Sequence, residues 1–358
     1  MNDHVSASAD PSETGGYSHP DRPVRHSYPL AIEDAGLSTA IGLLMKTLPY
    51  ALARFGILLT VSVVTIIWFA VTFGGLALLA AKVHPWAGYA WLFMGMGLYG
   101  YLWRTLVRYF LYLLKAGHIA VLTELITRGS IGSSREGMFD YGKRVVTERF
   151  GQVNVMFALD LLVHGVVRAF NRTLNWIANL LPIPGLQSVT AVVNAVVYSA
   201  TTFIDETIFS YALARGDTDN VRSSRDGLIY YAQNSKEVLK TGVWIVILDK
   251  VATGLTWMVM LIPGLIVSWI LPASVAGPGG LLTFVVSALL AWNVRAAFLE
   301  PLFLTMVMVK FHVCVRDQAI DLIWDERLSS VSGKFVQLKN QVTGATRRPA
   351  AVQAQPSV

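Results

Sequence analysis

The chain has 358 residues, of which 54% are hydrophobic and only 15% charged, with a formal net charge of +6. A soluble globular protein carries roughly 25% charged residues, so too few charges are present to cover a water-facing body of this mass. Disorder over the whole chain, a collagen-like chain and a disulfide scaffold are excluded as well, because Cys314 is the only cysteine.

Residues 1–29 are polar, rich in Gly, Ser, Pro and His, and read as a disordered cytoplasmic tail. They lack the apolar core of a secretion signal. Ala31 to Tyr50 alternates apolar and polar residues at helical spacing, as an interfacial amphipathic helix does. Six stretches then reach the roughly 20 apolar residues that a membrane helix needs. They are Phe55–Ala81, Trp86–Leu114, Val153–Leu181, Val189–Leu213, Val243–Leu271 and Leu281–Phe311. The expected fold class is all-α, a polytopic membrane bundle of about six transmembrane helices filling 30–311. Residues 312–358 form a cytoplasmic tail with an amphipathic start (Val313, Ile320, Ile323 or Trp324, Leu328) and a disordered basic end.

Orientation follows the basic residues. Lys115, Arg128, Arg135, Lys143, Arg144 and Arg149 lie between the second and third stretches. Arg215, Arg222, Arg225, Lys236 and Lys240 lie between the fourth and fifth, and further basic residues follow the sixth. The opposite connections are short and nearly uncharged, so both termini are expected inside. This bias accounts for the net charge without nucleic acid. It also makes anionic lipid headgroups the expected partners of the basic cytoplasmic loops.

Ser133-Ser-Arg-Glu-Gly137 recurs as Ser223-Ser-Arg-Asp-Gly227, and Tyr141 then matches Tyr231, Asp160 matches Asp249, and Gly165 matches Gly254. Thr127-Arg-Gly129 likewise resembles Ala214-Arg-Gly216. The pattern predicts an internal parallel repeat with units near 117–185 and 204–271, each with serines suited to a helix N-cap. Two caps of similar composition would give part of the same match.

Polar residues inside apolar stretches are costly and mark paths or sites. Asp160, His164 and Arg168 share a face of the third stretch. Asp205, Glu206, Asp249 and Glu300 are the other carboxylates, and Trp292 offers a face suited to a quaternary ammonium. Asp205, Glu206, Glu300, Asp160, Asp249 and Trp292 are therefore the candidate substrate-binding residues, with interhelical ion pairing as the competing role for the carboxylates. Pro301 after Glu300 interrupts the helix ladder. No metal-ligand cluster, P-loop, G-x-S-x-G or dinucleotide fingerprint occurs, so neither a cofactor nor enzymatic activity is expected.

From about Gly117 to Asp321 the order of features resembles the membrane domain of the choline transporter-like family. The stretches that carry the likeness are Ala120–Arg128 with Tyr141-Gly-Lys-Arg144, Asn194–Phe209, Val221-Arg-Ser-Ser-Arg-Asp-Gly227, Asn234–Val238, Ile247-Leu-Asp-Lys-Val251 and Ala296-Phe-Leu-Glu-Pro301. The resemblance implies a multi-helix carrier of choline or a related organic cation in a cell membrane. Family members are larger and have a long loop after the first span, whereas only Lys82 to Pro85 stands there in this chain. A path that needs more helices would require a homo-oligomer. The compact loops fit a bacterial inner membrane. The expected function is thus transport or facilitated passage of a small solute; the alternative is a non-catalytic membrane assembly or scaffold protein.

Overall fold

The computed structural model describes residues 28–132, 136–148, 195–196, 198–199, 202–216, 220–270 and 276–346. The regular elements among them are helices: α1 Leu37–Lys46, α2 Leu48–Lys82, α3 Pro85–Leu102, α4 Arg108–Arg128, α5 Met138–Glu148, α6 Ile204–Arg215, α7 Asn220–Gln233, α8 Ser235–Ile270, α9 Ala276–Val294, α10 Glu300–Val315, α11 Leu322–Val331 and α12 Gly333–Thr346. Two π-helical turns, Trp103–Val107 and Arg295–Leu299, join α3 to α4 and α9 to α10. Four helices are long and apolar enough to cross a membrane: Leu48–Lys82, Pro85–Arg128, Ser235–Pro263 and Thr283–Val315. They answer to the first, second, fifth and sixth apolar stretches. The third stretch, with Asp160, lies outside the described residues, as does the first part of the fourth, which is described at 195–196, 198–199 and from Thr202 on.

These helices outrun a bilayer. The 35 residues of α2 extend about 52 Å at 1.5 Å per residue, against roughly 30 Å of hydrocarbon. The excess length builds a second region. In the spanning half, α2 returns through Val83 and His84 into α3, where the His84 imidazole accepts from the Trp86 backbone N–H at 3.3 Å and Pro85 opens the helix. The two helices approach along small residues. A Cβ on Gly88 would stand 2.7 Å from the Leu76 carbonyl oxygen, and the Trp68 indole donates to the Gly95 carbonyl at 3.0 Å. Close backbone approach of this kind is how helices associate where burial from water supplies no drive. The α8–α9 pair forms the other hairpin, with the Trp257 and Phe284 rings 6.0 Å apart. Trp86, Phe93, Met258 and Trp269 point outward from these hairpins.

Beyond each π turn the helix changes character. Ala116 to Thr127 of α4 are all buried, and so are most residues of α10 from Pro301 to Val315. Around them pack α1, α5, α6 and α7, and α11 and α12 lie against α7. Tyr211, Tyr230, Phe311, Phe335 and Leu338 fill the core, with Tyr231 stacked on Phe311. The second π turn has a local cause. Pro301 has no N–H to offer the carbonyl of Ala297, so the ladder is broken within that turn.

Two helices of this packed half end alike. Arg128 of α4 and Arg215 of α6 are each followed by a glycine of positive φ, Gly129 (77°) and Gly216 (68°). By contrast, α10 ends at Val315, and Arg316 is extended before Asp317 takes a positive φ (58°). Glycine adopts this left-handed conformation freely, and aspartate is among the few side chains that tolerate it.

Several expectations shift. The Ala31–Tyr50 segment is helical from Leu37 to Lys46, which lies along α10 with Ala40 and Leu43 buried, and its last three residues already belong to α2. Ser223 and Ser224 do not cap a helix, because α7 begins at Asn220 and buries both inside it. Residues 312–315 complete α10, and the apolar positions Ile320 and Leu328 turn inward to the chain's own core.

Candidate functional site

The charges of the long helices meet at the junction of the two halves. Arg54 lies near the start of α2, and its guanidinium donates to Glu300 Oε2 at 2.7 Å. Glu300 Oε1 is also 3.8 Å from Arg295 Nη1, and Arg295 Nε donates to Asp249 Oδ1 of α8 at 3.0 Å. Thr253 donates to the same carboxylate oxygen at 3.4 Å. Four charges on three long helices thus form one chain, Arg54–Glu300–Arg295–Asp249. Each side chain is between 18% and 33% exposed. A charge left unpaired on a helix that enters a membrane is costly, less so near the boundary than at the bilayer centre, which explains why they find one another.

A second pair stands close by. Lys115 of α4 bridges to Glu206 Oε1 of α6, while Glu206 Oε2 is buried without a hydrogen-bond partner. Between the pairs in the fold, His118 stacks on Tyr50 at 5.0 Å and bonds Thr47 through Nε2 at 2.9 Å. Asp205 begins α6 beside Glu206. Burial, together with the negative charges of Glu206 and Asp205, holds the Tyr231 hydroxyl of α7 well above its ordinary value. The matching tyrosine, Tyr141 of α5, donates to Glu124 at 2.9 Å, and burial with that bond raises it too. The two matched tyrosines therefore each face an acid of the helix before them.

Of the candidate residues, Asp249 and Glu300 are brought together through Arg295, and Asp205 and Glu206 sit apart from them. Trp292 stands outward on α9, 62% exposed. Asp160 lies outside the described residues. Nothing in the sequence pattern points to Arg54 and Lys115 as the partners of these carboxylates, since their mates lie far along the chain.

Just beyond the cluster toward the hairpin ends, Asn293 and Ser62 exchange hydrogen bonds between α9 and α2 at 2.9 Å and 3.3 Å. One and a half turns further, Ser287 and then Thr283 bury hydroxyls that have no hydrogen-bond partner among the described residues. A buried hydroxyl left unpaired costs about 1–3 kcal/mol, so the packed side of α9 holds unmet polar capacity. This capacity lies in the most apolar part of the molecule.

The packed half also brings together a serine and a histidine. Ser210 Oγ lies 2.8 Å from His312 Nε2, and His312 Nδ1 lies 2.8 Å from the Tyr28 hydroxyl. The directions of the bonds decide its chemistry. Thr123 gives its only hydroxyl proton to the Ile119 carbonyl at 2.7 Å, so it accepts from Ser210, 2.7 Å away. Ser210 then accepts from His312 Nε2–H, and Nδ1 accepts from Tyr28. A histidine that donates to the serine cannot take its proton, and both are wholly buried. The array is a structural wire, not a nucleophile and its base.

Among the described residues, no group of three or more His, Cys, Asp or Glu side chains is placed to hold a metal ion. No family model, curated protein or solved structure matches the chain.

Proposed function

We infer that the protein is an integral membrane transporter or facilitator for a small polar solute. Its basic loops and packed half lie on the cytoplasmic side, as the positive-inside rule requires. The observation that carries the reading is the polar track on α9. Thr283 and Ser287 share one face of α9; Asn293, about 120° round the helix at 100° per residue, pairs with Ser62, and the Arg54–Glu300–Arg295–Asp249 chain stands beyond it. A passing solute or water would satisfy hydroxyls that the protein leaves unmet. π turns are frequent at functional sites, and one of them carries Arg295. A choline-like cation, which the family resemblance implies, would have to displace Arg295 from Asp249 or Arg54 from Glu300.

A second reading, a non-catalytic assembly or scaffold protein, is favoured by the ion pairing of Glu206, Asp249 and Glu300 across helices. Proteoliposome uptake of labelled choline and of a neutral polyol separates the two. Uptake of either that falls severalfold in Ser287→Val and Glu300→Gln, but not in Asp205→Asn, supports transport along the α9 track. No uptake of either solute, or uptake indifferent to Ser287→Val and Glu300→Gln, removes that track as a path.

A further inference from the structure

Arg104 sits inside the first π turn and Arg108 follows it at the start of α4, one turn apart on the same face. Both are exposed, and among the described residues neither has a carboxylate within ion-pair distance. This sets them apart from their neighbours. Arg54, Lys115 and Arg295, the other basic groups near the junction on α2, on α4 and in the second π turn, are each bridged to an acid on another helix.

Their surroundings are apolar and outward facing. Tyr101, Leu106, Tyr109 and Phe110 are all exposed at half or more of their surface, and Trp103 at 36%. The antiparallel contacts Thr65–Tyr99 and Trp68–Gly95 set the register of α2 against α3. That register places Arg104 level with Ser62, which bonds Asn293. The Asp249–Arg295 bond brings Lys250, also exposed, to nearly the same level. Pro85 to Arg104 is a rise of about 28 Å, one hydrocarbon thickness from the hairpin end. A charged pair here stands where acyl chains give way to phosphates, with aromatic rings around it of the kind found at that boundary.

We propose that Arg104 and Arg108 form a binding site for the phosphodiester of an anionic phospholipid. The two guanidiniums supply paired donors that match phosphate oxygens. The exposed Tyr101 and Leu98, on the hairpin side of Arg104, supply the surface along which its acyl chains lie. A zwitterionic lipid offers the same phosphate but carries a compensating cation, so the site discriminates by net charge. The inference stands whether or not the protein moves a solute.

The test uses the full chain in dodecyl maltoside, offered equal amounts of phosphatidylglycerol and phosphatidylcholine, with the lipid retained per protein read by native mass spectrometry. Wild type is expected to retain phosphatidylglycerol roughly tenfold over phosphatidylcholine, and R104Q/R108Q to retain the two nearly equally. The loop control K143Q/K334Q is expected to keep it. R104K/R108K, which keeps the charge and loses the planar forks, should fall between and serves if the glutamine variant does not fold. Equal retention of the two lipids by wild type overturns the site. So does a loss in the loop control that matches or exceeds the loss in R104Q/R108Q. Displacement of phosphatidylglycerol by millimolar inorganic phosphate would assign the site to free anions and overturn the lipid.

Discussion

The two halves of this protein are built from the same helices and obey opposite rules. In the spanning half, Phe93 and Trp86 are each 76% exposed and Trp269 89%, while in the packed half Phe311 and Tyr211 are wholly buried. Lipid solvates an apolar side chain as well as another side chain does, so helices there need to touch only along Gly75, Gly88 and Gly95. Water does not, so every face of α4 and α10 beyond the π turns has to be covered. Covering them takes α1, α5, α6 and α7, and α7 in turn is covered by α11 and α12. Composition alone does not separate the regions; the number of neighbours around each helix does.

That contrast can be broken by mutation. Phe311→Ala is expected to destabilise by about 3–5 kcal/mol, whereas Phe93→Ala should change stability by no more than about 0.5 kcal/mol. Denaturant unfolding in a fixed detergent compares them, and similar losses would erase the distinction. His312→Leu comes next, at about 2 kcal/mol, because Tyr28 loses its acceptor and Ser210 its donor in a dry core. At the junction, Glu300→Gln leaves Arg54 and Arg295 competing for less charge. About 1–2 kcal/mol is expected, reduced from a fully buried pair because these groups are partly exposed. Adding Arg54→Gln to Glu300→Gln should cost less than the sum of the two single changes, and simple additivity would show that the pair is uncoupled.

The smallest effect sits on the surface of the packed half. Arg144 donates to Glu136 at 2.8 Å and 2.9 Å, which lowers the Glu136 carboxyl below its ordinary 4.5. A carboxyl held lower in the folded state contributes stability above its unfolded value, and loses it as pH falls through the folded one. Stability of wild type should therefore drop below pH 4.5 slightly more than that of Arg144→Gln. Parallel pH profiles for the two proteins would show that the pair contributes nothing.

How much of this was legible in the sequence depends on separation along the chain. The long apolar runs were plain, because a stretch of about 20 residues without charges suits a bilayer and little else. Glu300 and Asp249 stood out as charges in the wrong solvent, yet nothing local named Arg54, 246 positions from Glu300, as a mate. Pro301 marked the second ladder break; Trp103–Val107 has no proline and gave no signal. The Ser223–Gly227 motif suited a helix cap by composition. Its charges instead work from within α7, where Asp226 bonds Arg215 at 3.0 Å and Arg225 bonds Asp325 at 2.8 Å.

The Tyr28–His312 bond closes a span of 284 positions, and it is reinforced where Ala31 N–H meets the Ile126 carbonyl and Arg316 meets that of Ile32. During synthesis from the N-terminus, the strap that begins the fold therefore waits for nearly the last helix. Tyr28 has no histidine to bond until residue 312 has been made and α10 has reached its place. Completion of the packed half is thus tied to delivery of the final hairpin, and a chain cut short before residue 312 leaves Tyr28 without its acceptor and this strap held by the Ala31–Ile126 bond without those to His312 and Arg316.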